Sequence, residues 1–509
     1  MPGSVDYGDV QGLVRFGFKR LTEACYFLLR IKDASAARQW IGRACVTTAV
    51  EMNPRPRTAL QIAFTRTGLE KLQVPDDVIA RFSAEFVSGM AGEDNRSRRL
   101  GDTQANAPAG WRWGSGSNTP DAVVLLFAEQ GLLEGWKTSA KGEFWSAAFE
   151  EIDCLPTSNL SGTEPFGFID GISQPTLDWK LARRVRVNGD QIEYGNLVSL
   201  GEFLLGYSNE YGRYTDRPLL ESQVRGSEEL LPASDQPGKR DLGLNGTYLV
   251  IRQLEQDVRG FWQFLDKASG SNREMRYKLA EAFVGRSYAD GGPLVPLSRH
   301  SIDGIGVTGD AAAQRLEITR NQFTYDSDAA GTRCPFGAHI RRANPRNADI
   351  PGAPRGLFSH LVHIFGFGNK NVRDDLIASA RFHRILRRGR GYGMRLSPEE
   401  ALQPAPANDS KRGLQFAAIN ANIQRQFEFV QNAWVMRTKF DGLTEESDPL
   451  LGNREAVPGC PVTNTFSLPQ ENGVRRRIMD IPQFIIVRGG AYFFLPSIRA
   501  LRYLCRAGG

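Results

Sequence analysis

The sequence predicts an α+β protein made of two related halves, and two observations carry that prediction. The first is an internal match. "CYFLLRIKDASAARQWI" near the start and "TYLVIRQLEQDVRGFWQFL" much later share Tyr26, Arg30 and Trp40 with Tyr248, Arg252 and Trp262, each offset by 222 residues. The second is periodicity. Both copies open on an apolar run rich in aromatic and β-branched residues, the pattern of a strand. Both then pass into helical spacing that ends near the tryptophan. A strand-then-helix unit met twice implies two α+β halves. The chain of 509 residues is long enough for two or three domains. The expected division is 1–235 and 236–509, with the Gly-, Pro-, Asp- and Ser-rich stretch 222–246 as the connection.

Other elements follow in order. "LQIAFT" reads as a strand leading to a helix-like "GLEKL", and "DAVVLLFA" as a buried strand. Segment 91–118 reads as a loop, and so does "NPRNADIPGAPRG". "FIIVRGGAYFFL" reads as a late hairpin turning at Gly489 and Gly490.

Composition narrows the class. Hydrophobic residues make up 41% and charged residues 24%, as in ordinary globular proteins. No run of about 18 apolar residues is present, so no membrane span is expected. The start "MPGSVDYGDVQG" has no basic and apolar leader pattern. Six cysteines stand without CxxC spacing, which argues against a zinc ribbon, a dithiol motif or a CxxCH haem attachment, and fits a reducing, cytoplasmic home. The net charge of +6 is mild for this length. The basic runs "RILRRGRGYGMR" and "GVRRRIMD" carry no nucleic-acid motif, and they suit small anions better.

The chain has five histidines, His300, His339, His360, His363 and His383, all in the later half. A partner from the earlier half must be another residue type, and Asp170 in "EPFGFIDGISQP" is the candidate. His339 stands in "CPFGAHIRRANPR". A neutral imidazole is a common axial ligand of haem iron, and Arg341, Arg342 and Arg346 would suit propionates. The same spacing also fits a core histidine beside solvated arginines. Arg387 opens "RRGRGYG"; buried, it would polarise a bound oxygen species, and exposed, it belongs to a solvated basic run. His360 and His363 at i, i+3 have no acidic third ligand nearby, which favours a structural role. Cys334-Pro335 and Cys460-Pro461 are weak thiolate-ligand signals. "GFGNKN" lacks the third glycine of a dinucleotide fingerprint.

Taken together, three of these segments resemble the DyP-type (dye-decolorizing) haem peroxidases. "GFIDG" matches that family's GxxDG signature, "HIRRANPR" its proximal-histidine segment and "RILRRGRGYG" its distal-arginine segment. "DVQGLVRFGFKRLTEACYFLLRI", "QFEFVQNAW" and "GGAYFFLPSIRALRYL" are similar to its longer bacterial and fungal-like members. The resemblance implies a pair of ferredoxin-like domains of the dimeric α+β barrel type, with antiparallel sheets and peripheral helices. It implies one non-covalent haem b per chain, with His339 as the proximal iron ligand. Asp170 would be the distal carboxylate, Arg387 (or, second, Arg388) the distal arginine and Arg346 a propionate partner. Gly167, Phe168 and Gly171 would lie against the cofactor. The family often gives its proximal histidine an acidic partner in the segment matching "AINANIQRQFEF", which here leaves Asn422 or Glu428. Tyr392 and Trp434 would relay electrons at the surface. The interval from His339 to Arg387 is long for the family, which implies an insertion within 347–380.

The function so implied is reduction of hydrogen peroxide and oxidation of dyes, phenolics or other one-electron donors through a ferryl intermediate. Turnover would be fastest in acid. No nucleic acid or membrane partner is expected, and self-association is left open. The competing reading is a haem-binding protein for storage, sensing or transfer, with incidental peroxidase activity. A third is a haem enzyme of other chemistry on the same fold.

Overall fold

The computed structural model describes residues 4–182, 196–295, 320–346, 379–454, 463–470 and 472–506. Strand β1 (Glu23–Ile31) is apolar on both faces and buried along most of its length. Asp33 ends it and starts helix α1 (Ala34–Arg43), because its carboxylate accepts the Ala36 N–H at 2.7 Å. Strands β2 (Thr58–Phe64) and β3 (Ala122–Ala128), helix α2 (Leu133–Lys141) and strand β4 (Phe149–Pro156) complete the first half. Its strands lie in the order β2-β3-β1-β4.

The second half repeats this plan. Strand β5 (Thr247–Gln256) leads through an Asp257 cap, which accepts the Gly260 N–H at 2.8 Å, into helix α3 (Val258–Ala268). Helix α4 (Arg273–Val284) follows. Strands β6 (Leu386–Arg387), β7 (Arg390–Tyr392), β8 (Gly413–Asn420) and β9 (Ile485–Leu495) complete it. The order is β6-β8-β5-β9, with β7 also on β8. With β6 and β7, both paired with β8, taken as one interrupted strand, both halves place their second, third, first and fourth strands side by side, antiparallel throughout. That is the ferredoxin-like arrangement. The Phe64–Phe494 pair joins the halves into one nine-stranded sheet.

One sheet face carries Phe27, Leu29, Val124, Tyr248, Val250 and Phe494 against the helix residues Trp40, Ile41, Phe261 and Trp262. The other carries Tyr26, Leu28, Leu125, Leu249 and Ile251 against Val10, Leu13, Val14 and Leu204. This division corrects the repeat register read from the sequence. Tyr26 and Tyr248 fall on opposite faces, so the offset of 222 residues does not superpose the halves. Side chains alternate along a strand, so an even offset cannot pair Phe27 with its helix-facing counterparts Tyr248 or Val250. Topology carries the repeat; the matched identities do not.

Two further expectations are corrected. β9 is one strand of 11 residues, without a hairpin. Its glycines serve close approach: a Cβ on Gly489 would lie 2.5 Å from the Trp113 indole nitrogen, and one on Gly490 would lie 2.6 Å from the Met90 sulfur. Segment 91–118 contains the helix Asp94–Leu100. His300, His360, His363, Cys460-Pro461, "GFGNKN" and the expected insertion, up to residue 378, lie outside the described residues. Among the described residues no helix is long and apolar enough to cross a membrane.

Candidate active site

The loop "EPFGFIDG" is folded around its own first residue. Glu164 accepts the N–H groups of Phe166 at 3.0 Å and Phe168 at 3.1 Å, while its own N–H bonds the Phe168 carbonyl at 2.9 Å. Gln256, at the end of β5, donates to the same carboxyl at 3.0 Å and so ties the loop to the second half. Gly167 has φ +101°, and a Cβ there would sit 2.5 Å from the Tyr288 hydroxyl. The space left by its missing side chain is therefore filled by tyrosine. Gly171 has φ +77° and faces the Lys19 side chain. Phe168 is buried, edge-on to Tyr288 at 5.1 Å.

This loop presents Asp170, whose N–H bonds Gly162 O at 3.0 Å. Its Oδ1 accepts from Gly171 N at 2.6 Å and from Arg387 Nη1 at 3.1 Å. Both side chains of the pair are about one-third exposed, at 33% and 34%. The Arg387 backbone is pinned by Gln174, which accepts from Arg387 N at 3.0 Å and donates to Arg387 O at 3.2 Å. Arg388 turns the other way, onto the carbonyls of Leu13 and Val14. It is Arg387, then, that reaches Asp170.

His339 opens helix α5 (His339–Ala343). Its Nδ1 lies 2.8 Å from Asp448 Oδ2. Asp448 is fully buried, and its other oxygen accepts Leu450 N and Leu451 N at 2.9 Å each. Burial opposes charge on His339, but the Asp448 carboxylate outweighs it and holds the ring above its usual value. Burial likewise opposes charge on Asp448, yet His339 and the backbone donors hold it below the usual carboxylate range. The proton on Nδ1 is thereby fixed, and Nε2 presents its lone pair. Arg387 and Glu164 are near enough for their charges to act on the imidazole.

The partner of His339 is thus neither Asn422 nor Glu428. Asn422 accepts the Arg425 N–H at 2.8 Å and caps the following helical turn. Glu428 is buried with Arg96 at 2.8 Å and accepts the Tyr492 hydroxyl at 3.0 Å. The signal for Asp448 was its turn, "SDPLL", an aspartate able to accept N–H groups two and three residues on. The surface-relay expectation also needs correction. Tyr392 is 8% exposed and bonds Leu254 O; Trp434 is 7% exposed and packs on His383 and Phe429. Tyr211 is the markedly exposed aromatic residue among those described, stacked on Phe382 at 4.2 Å. Arg341 and Arg342 are buried but spent on Asp328 and on backbone carbonyls. Arg346 is buried and held at φ +58°, with Nη1 on the carbonyls of Asn321 and Phe323. Cys334 is buried and its thiol is pushed up to about 12 by that burial, which disfavours thiolate ligation.

The donor set fits a haem. One oriented imidazole with a carboxylate behind it suits the role of a proximal ligand pair. No group of three His, Cys, Asp or Glu among the described residues would hold a bare ion. A cavity of about 930 Å³ opens beside Asp170 and Arg387. Among the described residues its walls carry seven basic side chains, Arg15, Lys19, Arg55 and Arg388 among them, and two acidic ones, Glu51 and Asp170.

No family model matches the chain. It is 27% identical over 515 residues to dye-decolorizing peroxidase msp1 of Mycetinis scorodonius, covering 97% of this chain and 86% of the relative. It is 27% identical to dye-decolorizing peroxidase AauDyP1 of Auricularia auricula-judae, covering 98% and 86%. With the multifunctional dye peroxidase DyP2 of an Amycolatopsis species it shares 31% identity over 360 residues, 69% of this chain and 62% of that one. The fold matches the crystal structure of AauDyP complexed with imidazole at a TM-score of 0.69 and 22% identity, covering 99% of this chain and 100% of the other. It matches the Anabaena DyP-type peroxidase at 0.67 and 22% identity, covering 98% and 94%.

Proposed function

We propose that this chain, a member of the dye-decolorizing peroxidase family by its near full-length likeness to those enzymes, is a haem peroxidase that reduces hydrogen peroxide and oxidises aromatic one-electron donors. The observation that carries this reading is the Asp170–Arg387 pair, set within electrostatic reach of an imidazole backed by a buried carboxylate. A haem carrier needs neither half of that pair, so the pair favours the enzyme. We further take the cofactor to be one non-covalent haem b per chain. Free thiols at Cys25, Cys45, Cys154, Cys334 and Cys505 support a reducing, cytoplasmic setting.

Bound haem would supply the iron at which the O–O bond is cleaved and through which donor electrons pass. The residues do the rest. His339 Nε2 would hold the iron, with Asp448 keeping the proton on Nδ1. Asp170 takes the proton from one peroxide oxygen and returns it to the other, so that the leaving oxygen departs as water. Arg387 holds the charge that develops on the leaving oxygen and keeps Asp170 aimed at it. Two donor molecules each give one electron and one proton, which balances reduction of one peroxide to two waters. The basic cavity beside Asp170 suits donors that carry carboxylate or sulfonate groups, such as anionic dyes.

The test is peroxide-dependent oxidation of a phenol and of a sulfonated dye by the haem-loaded chain, compared with Asp170→Asn. The reading expects turnover that the substitution cuts steeply while haem content holds. No peroxide-dependent turnover by a fully loaded wild type would favour the carrier.

A further inference from the structure

Strand β1 carries Cys25 and strand β4 carries Cys154. The register pairs Cys25 with Pro156 and Phe27 with Cys154, so the two cysteines stand diagonally across neighbouring antiparallel strands. Both face the helix-covered side of the sheet, Cys25 within its core and Cys154 packed against that core. Cys25 is 1% exposed, while Cys154 is half-buried on the strand that ends the sheet. Both are free thiols, and they hydrogen-bond each other.

Helix α2 lies over the pair. Its Lys141 Nζ stands 4.7 Å from the centre of the Phe27 ring, the residue opposite Cys154, and pairs with Glu151 of β4 at 2.6 Å. Lys137, one turn earlier on the same helix face, pairs with Glu134 at 2.7 Å and is near enough for its charge to act on both sulfurs. The bond from Cys25 first, then Lys137, outweigh burial and the charges of Glu151 and Asp153, and hold the Cys154 thiol below its usual value. The same bond, with burial, pushes the Cys25 thiol far up. The two sulfurs are thus unlike: a half-buried one that favours the thiolate and a buried one that keeps its proton. That division suits attack on peroxide, because a thiolate attacks and a neighbouring thiol resolves the product.

We propose that Cys154 and Cys25 form a second peroxide-reactive site, a dithiol that hydrogen peroxide converts to a disulfide independently of the haem site. The Cys154 thiolate attacks one peroxide oxygen. The O–O bond breaks, Cys154 becomes a sulfenic acid, and the departing hydroxide takes a proton from solvent to leave as water. The Cys25 sulfur then attacks the Cys154 sulfur. The S–O bond breaks, the S–S bond forms, and the hydroxyl leaves with the Cys25 proton as a second water. Two thiols thereby give two electrons to one peroxide. Diagonal positions stand roughly 7–8 Å apart at their α carbons, just past the span of a relaxed disulfide. Strand β4 ends the sheet and pairs with β1 across a bulge at Leu28 and Leu29, so it can shift to close the gap. The bond so formed is strained, and strained disulfides are the readily reduced ones. A small external dithiol would restore both thiols, itself becoming the disulfide.

The test uses the full-length chain as haem-loaded wild type and as His339→Ala, which lacks the expected iron ligand. Each is treated with hydrogen peroxide, alkylated with iodoacetamide and digested without reductant for mass spectrometry. A linked Cys25–Cys154 peptide pair is expected in both proteins, lost after dithiothreitol. In Cys25→Ser, Cys154 accumulates as the sulfenic acid and is captured by dimedone. In Cys154→Ser, Cys25 keeps its thiol, with dimedone capture at least about tenfold lower. Absence of the linked pair from both proteins overturns the proposal. So does a pair formed only in the haem-loaded chain, or dimedone capture at Cys25 in preference to Cys154.

Discussion

Asp448→Asn tests the proximal side with little change of shape. The carboxylate accepts three hydrogen bonds, from His339 Nδ1 at 2.8 Å and from two backbone N–H groups at 2.9 Å. In the variant the amide oxygen keeps the two backbone donors. The amide nitrogen then occupies the position of Oδ2 and faces Nδ1 donor to donor. The clash is relieved when the imidazole proton moves to Nε2, the atom needed for iron. A charge-assisted bond to a buried carboxylate is worth about 1.5–3 kcal/mol, and loss of an outer partner of a metal ligand costs about 10–100-fold in affinity. We therefore expect release of haem to apomyoglobin to quicken about 30-fold, roughly 2 kcal/mol. Asn422→Ala and Glu428→Gln serve as comparisons, since neither side chain touches His339; release in both should stay within about twofold of wild type. Release from Asp448→Asn at the wild-type rate would refute the reasoning, as would an equal effect from Glu428→Gln.

Three other outcomes are expected. Asp170→Asn keeps haem but slows the peroxide-driven Soret change by about 10²–10⁴, read by stopped flow, because proton transfer is lost; Arg387→Leu slows the same step while leaving haem content intact. The Glu164 carboxyl is pushed up to about 7, chiefly by burial against the opposing pull of its N–H donors. Its contribution to stability is therefore full below its ordinary value of about 4.5 and is lost as pH rises through about 7. Thermal midpoints of wild type should fall across that window relative to Glu164→Gln, and parallel profiles would count against the burial of this carboxyl. With seven basic and two acidic side chains lining the cavity, the KM for a sulfonated dye should rise with ionic strength while that for a neutral phenol holds. Equal salt responses would remove the cavity from donor binding.

What the sequence made legible was local. "GFIDG", "HIRRANPR" and "RRGRGYG" each carry their chemistry within a few residues, and the structure brings Asp170 and Arg387 into contact across 217 positions. The strand-then-helix pattern was legible because burial imposes its period on each segment alone. Asp448 was not, because it meets His339 from 109 residues away through a turn whose sequence resembles many others. The repeat register failed for a related reason. Tyr26 and Tyr248 look alike in a string, while the face a side chain takes depends on strand pairing. Gly489 and Gly490 suggested a turn, since nothing local announces that Trp113 and Met90 need the space their side chains would fill. Tyr392 and Trp434 were named by type, and exposure is a property of the packed molecule.

The most direct measurement is the absorption spectrum of the purified full-length chain, before and after one equivalent of hydrogen peroxide, then with a phenolic donor. The account predicts a Soret band that shifts with peroxide and returns with the donor, and that is lost or greatly reduced in His339→Ala. A full Soret band in His339→Ala, or a wild-type band that peroxide leaves unmoved, would contradict it.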